Sequence, residues 1–482
     1  MNGLDAVIFG LFDSGVKKVT GVPGFPITEL MEALAGKIEH EWCVNEKVAL
    51  EIALGSSVCG ERSAVITKHV GMNILADPLV TSATHTTGAG VVIIAGDDPG
   101  IQKSQNEQDS RFFGLLAEIP VFDPGTPDAA YRCLKEAYML SEKVKTPVII
   151  RITDRLLVNE GSISRIKSPT AARSFDKRIW LLTMRGKHQR FHKQSYPEMC
   201  KYAESSKLNI YKKNAAGSTG VISSGFLSNL VNSILPWNCS HLSLSVVNPL
   251  PVELIDRFMH EHERVLVAEE TEPVIEKQLF NKVLGKLTGH LPFGLIEISD
   301  IEKAFKNINE DKMEFEIKPQ VIEERGSRPL CVDCPYLPLY RIIKELNVPV
   351  AGDLGCSVLT SAPPLSLLDT AFSLGSSISS ACGFNRKGIA IIGDFGLAHS
   401  GVSGLINAVH NEHEVVVIVL QNYVAAMTGG QSAPDLTGLI EYYIKDTVTI
   451  DPQSDNLKDI LLEKLTKKGI SVILARAKCP RY

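Results

Sequence analysis

The sequence is short of several things, and each shortage excludes a class of protein. No apolar run approaches the roughly 20 residues that a membrane-spanning helix needs. Excess charge of either sign is missing too. Fifty Lys and Arg stand against 55 Asp and Glu, and the net charge of −5 gives no electrostatic footing for nucleic acid or an anionic membrane. The first residues, MNGLDAVIFGLFDSGVKKV, lack a basic stretch leading into an apolar core and a small-residue cleavage site, so no export signal is expected. Cysteine is sparse: ten in 482 residues do not build a secreted disulfide framework. In a reducing compartment they are buried thiols or metal ligands, and a cytoplasmic location is the expectation. No GxGxxG follows the first strand-like run and no GxxxxGK[ST] occurs, which removes the usual marks of dinucleotide and P-loop sites.

What is present is a chain for about two to four ordinary cores, 44% hydrophobic and 22% charged. Short β-branched runs alternate with helix-length stretches. Residues 1–158 carry strand-like runs at VKKVTGV, RSAVITK, GVVIIAG and KTPVIIRIT. Residues 159–212 are basic and weakly periodic, without aromatics interleaved as stacking platforms, and read as a linker with a solvated face. A second α/β block spans 213–315, with strands at TGVISSG, HLSLSVV and RVLVAEE. A linker at 316–330 precedes a third block, 331–482, with strands at VPVAGDLG, GIAIIGD, EVVVIVLQN and ISVILARA. Three doubly wound α/β domains are the simplest architecture.

Within the third block, IAIIGDFGLAHSG and VIVLQNYVAAMTGGQ read as a βαβ unit with two buried parallel strands. Ligands of such sheets bind beyond the carboxyl ends of the strands, where Asp394 and Asn422 fall. A carboxylate and an amide oxygen there are hard ligands suited to one Mg²⁺ that also holds phosphate oxygens. The interval of 28 residues between them matches the thiamine diphosphate motif, Gly-Asp-Gly and then Asn after roughly 25 to 30 residues. Thiamine diphosphate also needs a carboxyl at its aminopyrimidine nitrogen. Glu46, opening a helix in EWCVNEKVALEIALG, can be that group. Taken alone, Asn45-Glu46 reads as a helix cap with a favourable first-turn charge, and Gly-Asp after a strand as a turn. The conjunction in separate domains favours the cofactor.

With these residues in view the chain resembles the thiamine-dependent 2-oxoacid:ferredoxin oxidoreductases, and specifically the large subunits of the indolepyruvate branch. The resemblance runs through VPGFPITEL, TKHVGMNILADPL, AGDDPG and SQNEQDSR, then GVISSGF and VLVAEETEPVIEKQL, then CVDCP, GDLGCSVL, APPL, GLINAVHN and AMTGGQ. It implies a pyrimidine-binding domain, a transketolase-C-terminal-like domain and a diphosphate-binding domain, in that order. Glu46 matches the activating carboxylate. Asp394 and Asn422 match the Mg²⁺ ligands, with the Val424 carbonyl as the third. Gly24, Gly393, Met427 and Thr428 are expected to contact the cofactor, and His69 and His399 to lie near it. Arg111 is a candidate for substrate-carboxylate or acid–base contact, weighed against a plain ion pair.

The chain departs from the pattern in four places. Phe25 stands where the family usually has Thr, Gln421 replaces Asp, Ala425 replaces Thr, and FGLAHSG replaces a segment richer in small hydroxyl residues. The family's large subunit usually continues into a ferredoxin-like tail, whereas this chain stops at AKCPRY. Relatives also bear a cluster on cysteines in places corresponding to Cys331, Cys334, Cys356 and Cys479. Four thiolates suit a [4Fe–4S] cluster, or Zn²⁺ without redox; the other reading is a CxxC loop with buried thiols. The resemblance implies oxidative decarboxylation of a 2-oxoacid, an aryl pyruvate such as indolepyruvate, to acyl-coenzyme A with electrons passed to ferredoxin. A smaller partner subunit and a separate ferredoxin are expected, in a homodimer or heterotetramer. A non-oxidative decarboxylase or carboligase, and more remotely a silent scaffold subunit, are the alternatives.

Overall fold

The computed structural model describes residues 1–166, 174–214, 218–280, 282–314 and 330–482. They fall into two units, Met1–Gln320 and Val321–Tyr482. The strands of the first unit are β1 (Lys18–Gly21), β2 (Glu39–Trp42), β3 (Ser63–Lys68), β4 (Val91–Asp97), β5 (Val121–Phe122), β6 (Val148–Thr153), β7 (Ile210–Lys212), β8 (Thr219–Ser224), β9 (Cys239–Leu244), β10 (Val246–Asn248) and β11 (Arg264–Ala268). They build two sheets, ordered β10-β5-β6-β4-β3-β1-β2 and β11-β8-β9-β7. Only β10 and β7 run antiparallel to their neighbours among these described strands. β4 and β6 are buried along their whole length, as near-continuous apolar runs covered on both faces require.

HLSLSVV reads as one strand but forms two. β9 and β10 belong to different sheets and break at Ser245, and the Asn209 amide oxygen accepts the main-chain N–H groups of Ser245 and Val246, each at 3.0 Å. That side chain satisfies donors that the break would otherwise orphan. β10 then pairs with β5 and ties the two sheets of this unit together. The basic stretch 159–212, read as a linker, carries helices Met184–Arg190 and Tyr196–Ser205. Phe191, Met199 and Ala203 are buried there, while most of the basic residues stay at least partly exposed. A narrow apolar stripe among many charges gives little periodic signal.

The second unit contains β12 (Val350–Ala351), β13 (Gly388–Gly393), β14 (Val415–Gln421), β15 (Val424–Ala425), β16 (Gln431–Ser432), β17 (Thr447–Ile450) and β18 (Ile470–Arg476). Its main sheet, β12-β13-β14-β18-β17, is wholly parallel, and β15 and β16 form a separate short ladder. Side chains alternate between two cores. Ile389, Ile391, Val416, Ile418 and Ile473 pack on one face, with helices Leu337–Glu345 and Leu457–Thr466. Ala390, Ile392, Val417, Val419 and Leu474 pack on the other, with helices Ser377–Cys382 and Val402–His410. A parallel sheet covered on both faces leaves its strand ends as the open place for a ligand.

Candidate active site

β13 and β14 are adjacent parallel strands, so the residues after them share one end of the sheet. Asp394, 5% exposed, follows β13 and opens the next helical turn. Its Oδ1 accepts the Phe395 N–H at 2.8 Å and its Oδ2 accepts the Tyr423 N–H at 2.5 Å. Burial pushes the Asp394 carboxyl up to about 6, against the pull of these main-chain donors. Asn422 directs Oδ1 to the Val424 N–H at 3.2 Å, and Tyr423 between them adopts a left-handed φ of 62°. Asp394 and Asn422 are thus joined through one residue. Val424 enters the short β15, and Thr428 bonds back to the Ala425 carbonyl at 3.3 Å, with Met427 partly exposed beside it.

A further carboxylate belongs to this end of the sheet. Asp353 follows β12, and its Oδ1 takes the Gly375 N–H at 2.5 Å while its buried Oδ2 has no hydrogen-bond partner among the described residues. A Cβ on Gly396 would sit 2.0 Å from that Oδ2, so the glycine two residues after Asp394 is needed for the approach. Burial pushes Asp353 up to about 6, opposed in part by His399, which is 4% exposed and bonds Ser400 at 3.2 Å. The sequence held a signal for Asp353: VPVAGDLG repeats the strand-then-Gly-Asp pattern of IAIIGDFG.

In the first unit Asn45 caps helix Glu46–Val58, accepting the Val48 N–H at 2.9 Å, and the buried Glu46 is the first helical residue. Its carboxylate lies against the turn after β3: a Cβ on Gly71 would be 2.2 Å from Thr67 Oγ1 and 2.3 Å from Glu46 Oε1. His69, fully buried, faces the carbonyls of Gly96 at 3.3 Å and Asn106 at 2.9 Å with its two ring nitrogens. Both nitrogens are occupied by backbone, and the ring fastens the 98–108 loop to β4. Gly24 begins the turn that carries Phe25, its N–H donating to Thr28 Oγ1 at 2.9 Å.

Arg111 is fully buried and all five of its N–H donors are engaged. They go to Asp109 twice, to Ser224, to Glu269 at 2.8 Å and to the Glu272 carbonyl at 2.9 Å. Burial alone would raise Asp109, but Arg111 and Arg151 hold its carboxyl well below the usual range. Arg151 in turn pairs with Asp97 at 2.5 Å and Asp123 at 3.3 Å. This network spans both sheets of the unit. Arg111 keeps no donor for a substrate, and it acts as the hub that joins β8 and β11 to the loop after β4.

Residues 1–114 match the thiamine pyrophosphate enzyme N-terminal TPP binding domain, and residues 353–473 the C-terminal TPP binding domain. The indolepyruvate oxidoreductase subunit IorA of Methanothermobacter thermautotrophicus is 31% identical over 96% of this chain and 79% of its own length. The chain belongs to the IorA family of thiamine pyrophosphate enzymes. The IorA subunit of Archaeoglobus fulgidus is 30% identical over 99% of the chain and 86% of its own length. A solved 2-oxoglutarate:ferredoxin oxidoreductase from Magnetococcus marinus aligns over 59% of the chain and 61% of its own, with 16% identity and a TM-score of 0.49. As an IorA-family member the chain is an enzyme of the oxidoreductase class, and its two thiamine domains enclose Gly24, Glu46 and His69 in one match and Asp353, Asp394, His399 and Asn422 in the other.

Among the described residues no three His, Cys, Asp or Glu side chains converge as a metal cage. A carboxylate–amide–carbonyl set has only one such side chain, so the donors at Asp394, Asn422 and Val424 fit a hard cation without forming that cage. Cys331, Cys334, Cys356 and Cys479 of the second unit form no disulfide among the described residues. Cys334 donates its N–H to the Cys331 carbonyl at 3.1 Å, and Tyr336 Oη reaches the Ala477 carbonyl at 3.1 Å, which brings the CxxC turn toward the strand leading to Cys479. Burial pushes Cys356 up to about 12, with Cys334, Cys479 and Cys331 near enough to add to it. Gln421 is 2% exposed and bonds Thr437 and Arg476, each at 2.9 Å, locking β14 to β18. Among the described residues no helix is long and apolar enough to cross a membrane.

Proposed function

We propose that the chain is the thiamine diphosphate-binding subunit of an oxidoreductase that decarboxylates a 2-oxoacid, an aryl pyruvate in the first instance, to an acyl-coenzyme A and passes two electrons to ferredoxin. The observation that carries this reading is the pairing of Asp394 with the turn that bears Asn422, on a chain related to IorA subunits over almost its full length. Asp394, Asn422 and the Val424 carbonyl would hold Mg²⁺ and through it the diphosphate, with Gly24, Gly393, Met427 and Thr428 as further cofactor contacts. Glu46 would share a charge-assisted hydrogen bond with the aminopyrimidine nitrogen. The bound cofactor supplies an electron sink for the carbanion left by decarboxylation. Cys331, Cys334, Cys356 and Cys479 would hold one [4Fe–4S] cluster as the electron exit, a reading that rests on the sequence resemblance alone, since no three of these thiols converge as a metal cage among the described residues. A smaller subunit and a separate ferredoxin would complete the assembly, which we place in the cytoplasm.

The test is anaerobic purification of the chain with its partner subunit. It is followed by calorimetry with thiamine diphosphate and Mg²⁺, analysis of iron and sulfide, and arylpyruvate-dependent reduction of ferredoxin with and without coenzyme A. About four irons and four sulfides per chain, lost in Cys331→Ser, support the relay. Absence of both after reconstitution overturns it. A second reading, non-oxidative decarboxylation, is favoured by the half-buried Phe25 ring, which has no hydrogen bond to offer a substrate. Free aldehyde in place of acyl-coenzyme A would establish that reading.

A further inference from the structure

Lys68 ends β3, one residue before the inward-facing His69, and among the described residues its charge has no counter-ion in contact. Its stem lies flat on Gly24, where a Cβ would stand 2.5 Å from Lys68 Cδ and 3.0 Å from Cγ. The ammonium makes one hydrogen bond among the described residues, to Gln105 Oε1 at 3.3 Å. Burial holds it below the ordinary lysine range, even though Asp98 and Glu46 are near enough to pull it up. Neither carboxylate closes on it. Asp98 directs its oxygens to the N–H groups of Gln102 at 3.0 Å and Lys103 at 2.9 Å, within its own turn. A half-desolvated cation whose one hydrogen bond goes to a neutral amide is costly to maintain, so such a group has a use for an incoming anion.

The surroundings indicate which anion. β1 and β3 are adjacent parallel strands, and Gly24 follows the end of one as Lys68 ends the other. Phe25 projects from that corner with Lys103 Nζ 4.6 Å from its ring centre. The corner therefore offers two cations and one aromatic face, with Lys68 within electrostatic reach of Glu46. We infer that Lys68 binds the carboxylate of the 2-oxoacid and that Phe25 packs against the substrate's side chain, which makes this pair the specificity determinant for an anionic substrate with an apolar tail. The inference rests on the 2-oxoacid reading above.

Calorimetry of the thiamine diphosphate- and Mg²⁺-loaded protein with phenylpyruvate and with its neutral methyl ester tests it without requiring turnover. The wild type binds the acid about 10- to 100-fold more tightly than the ester, as a charge-assisted hydrogen bond provides. Lys68→Met removes that preference while leaving thiamine diphosphate affinity unchanged, and Lys68→Arg restores part of it. Phe25→Ala weakens acid and ester alike. A preference unchanged in Lys68→Met overturns the proposal, as does a wild type that binds neither ligand or does not distinguish them. Loss of the preference in Lys68→Met, combined with no turnover of any 2-oxoacid by the wild type, overturns the oxidoreductase reading and leaves the anion site standing.

Discussion

The main-chain N–H of Tyr423 donates to Oδ2 of Asp394, 29 residues back in the chain, and so fixes the turn that carries Asn422 against the carboxylate of the neighbouring strand. The bond makes the two oxygen donors one rigid unit before any cation arrives. Preorganisation of this kind lowers the ordering cost of binding.

Asp394→Asn tests it with little change of shape. The amide oxygen still accepts one of the two main-chain N–H groups, but the other acceptor and the charge that a divalent cation needs are gone. Thiamine diphosphate affinity in the presence of Mg²⁺ should fall about 100-fold, and that of Asn422→Ala about tenfold, by calorimetry. The melting temperature should move by only a few degrees, because the altered group is one hydrogen-bonded site at the sheet end. Wild-type affinity in Asp394→Asn would remove Asp394 from the cation site.

Glu46→Gln separates the helix cap from the chemistry. Asn45 still accepts the Val48 N–H, so helix Glu46–Val58 keeps its start and the protein its stability. What is lost is the carboxylate that strengthens its bond as the aminopyrimidine gains a proton. Exchange of the cofactor's reactive ring proton, followed by quenched-flow NMR, should slow by about 10²- to 10⁴-fold, while cofactor affinity changes less than about tenfold. An unchanged exchange rate would return Glu46 to a capping role alone.

The sequence revealed the strand ends better than the side chains near them. β13, helix Val402–His410 and β14 were readable because parallel strands buried on both faces are unbroken apolar runs, and the Gly-Asp and Gln-Asn that close them are conspicuous. The division of HLSLSVV between two sheets was not readable, since it depends on Asn209, more than 30 residues upstream. Arg111 and His69 each carried a plausible chemical role in their motifs. The contacts the structure gives them, five donors engaged around Arg111 and two main-chain carbonyls facing His69, depend on partners brought from distant segments. Lys68 stood next to His69 in the same motif, and only burial and the bare Gly24 beside it distinguish the two.

Arg111→Met should destabilise the protein without touching the substrate. It leaves Asp109 and Glu269 buried with a partner missing, and breaking a buried pair from one side costs about 3–5 kcal/mol. Urea unfolding of the variant measures this directly. In preparations that remain folded, the phenylpyruvate dissociation constant should stay within about twofold of wild type. Full stability with a large loss of substrate affinity would reverse the assignment and make Arg111 a ligand-binding residue.

His241 supplies a pH dependence whose direction can be worked out. It is buried in β9, with Nε2 2.6 Å from Ser223 Oγ and Nδ1 3.0 Å from Asn232 Oδ1. Burial, aided by nearby Lys212, lowers it from 6.5 to about 4. The folded state therefore resists protonation more than the unfolded chain does. Stability from this group is complete above pH 6.5 and is lost as the pH falls through about 4, by an amount on the order of 3 kcal/mol. His241→Gln keeps hydrogen-bonding capacity without titrating. The stability difference between wild type and this variant, from urea unfolding at intervals between pH 4 and 7, should shift against the wild type as the medium is acidified. A difference independent of pH would mean that the imidazole titrates alike in both states, and that Ser223 and Asn232 accommodate the charged ring.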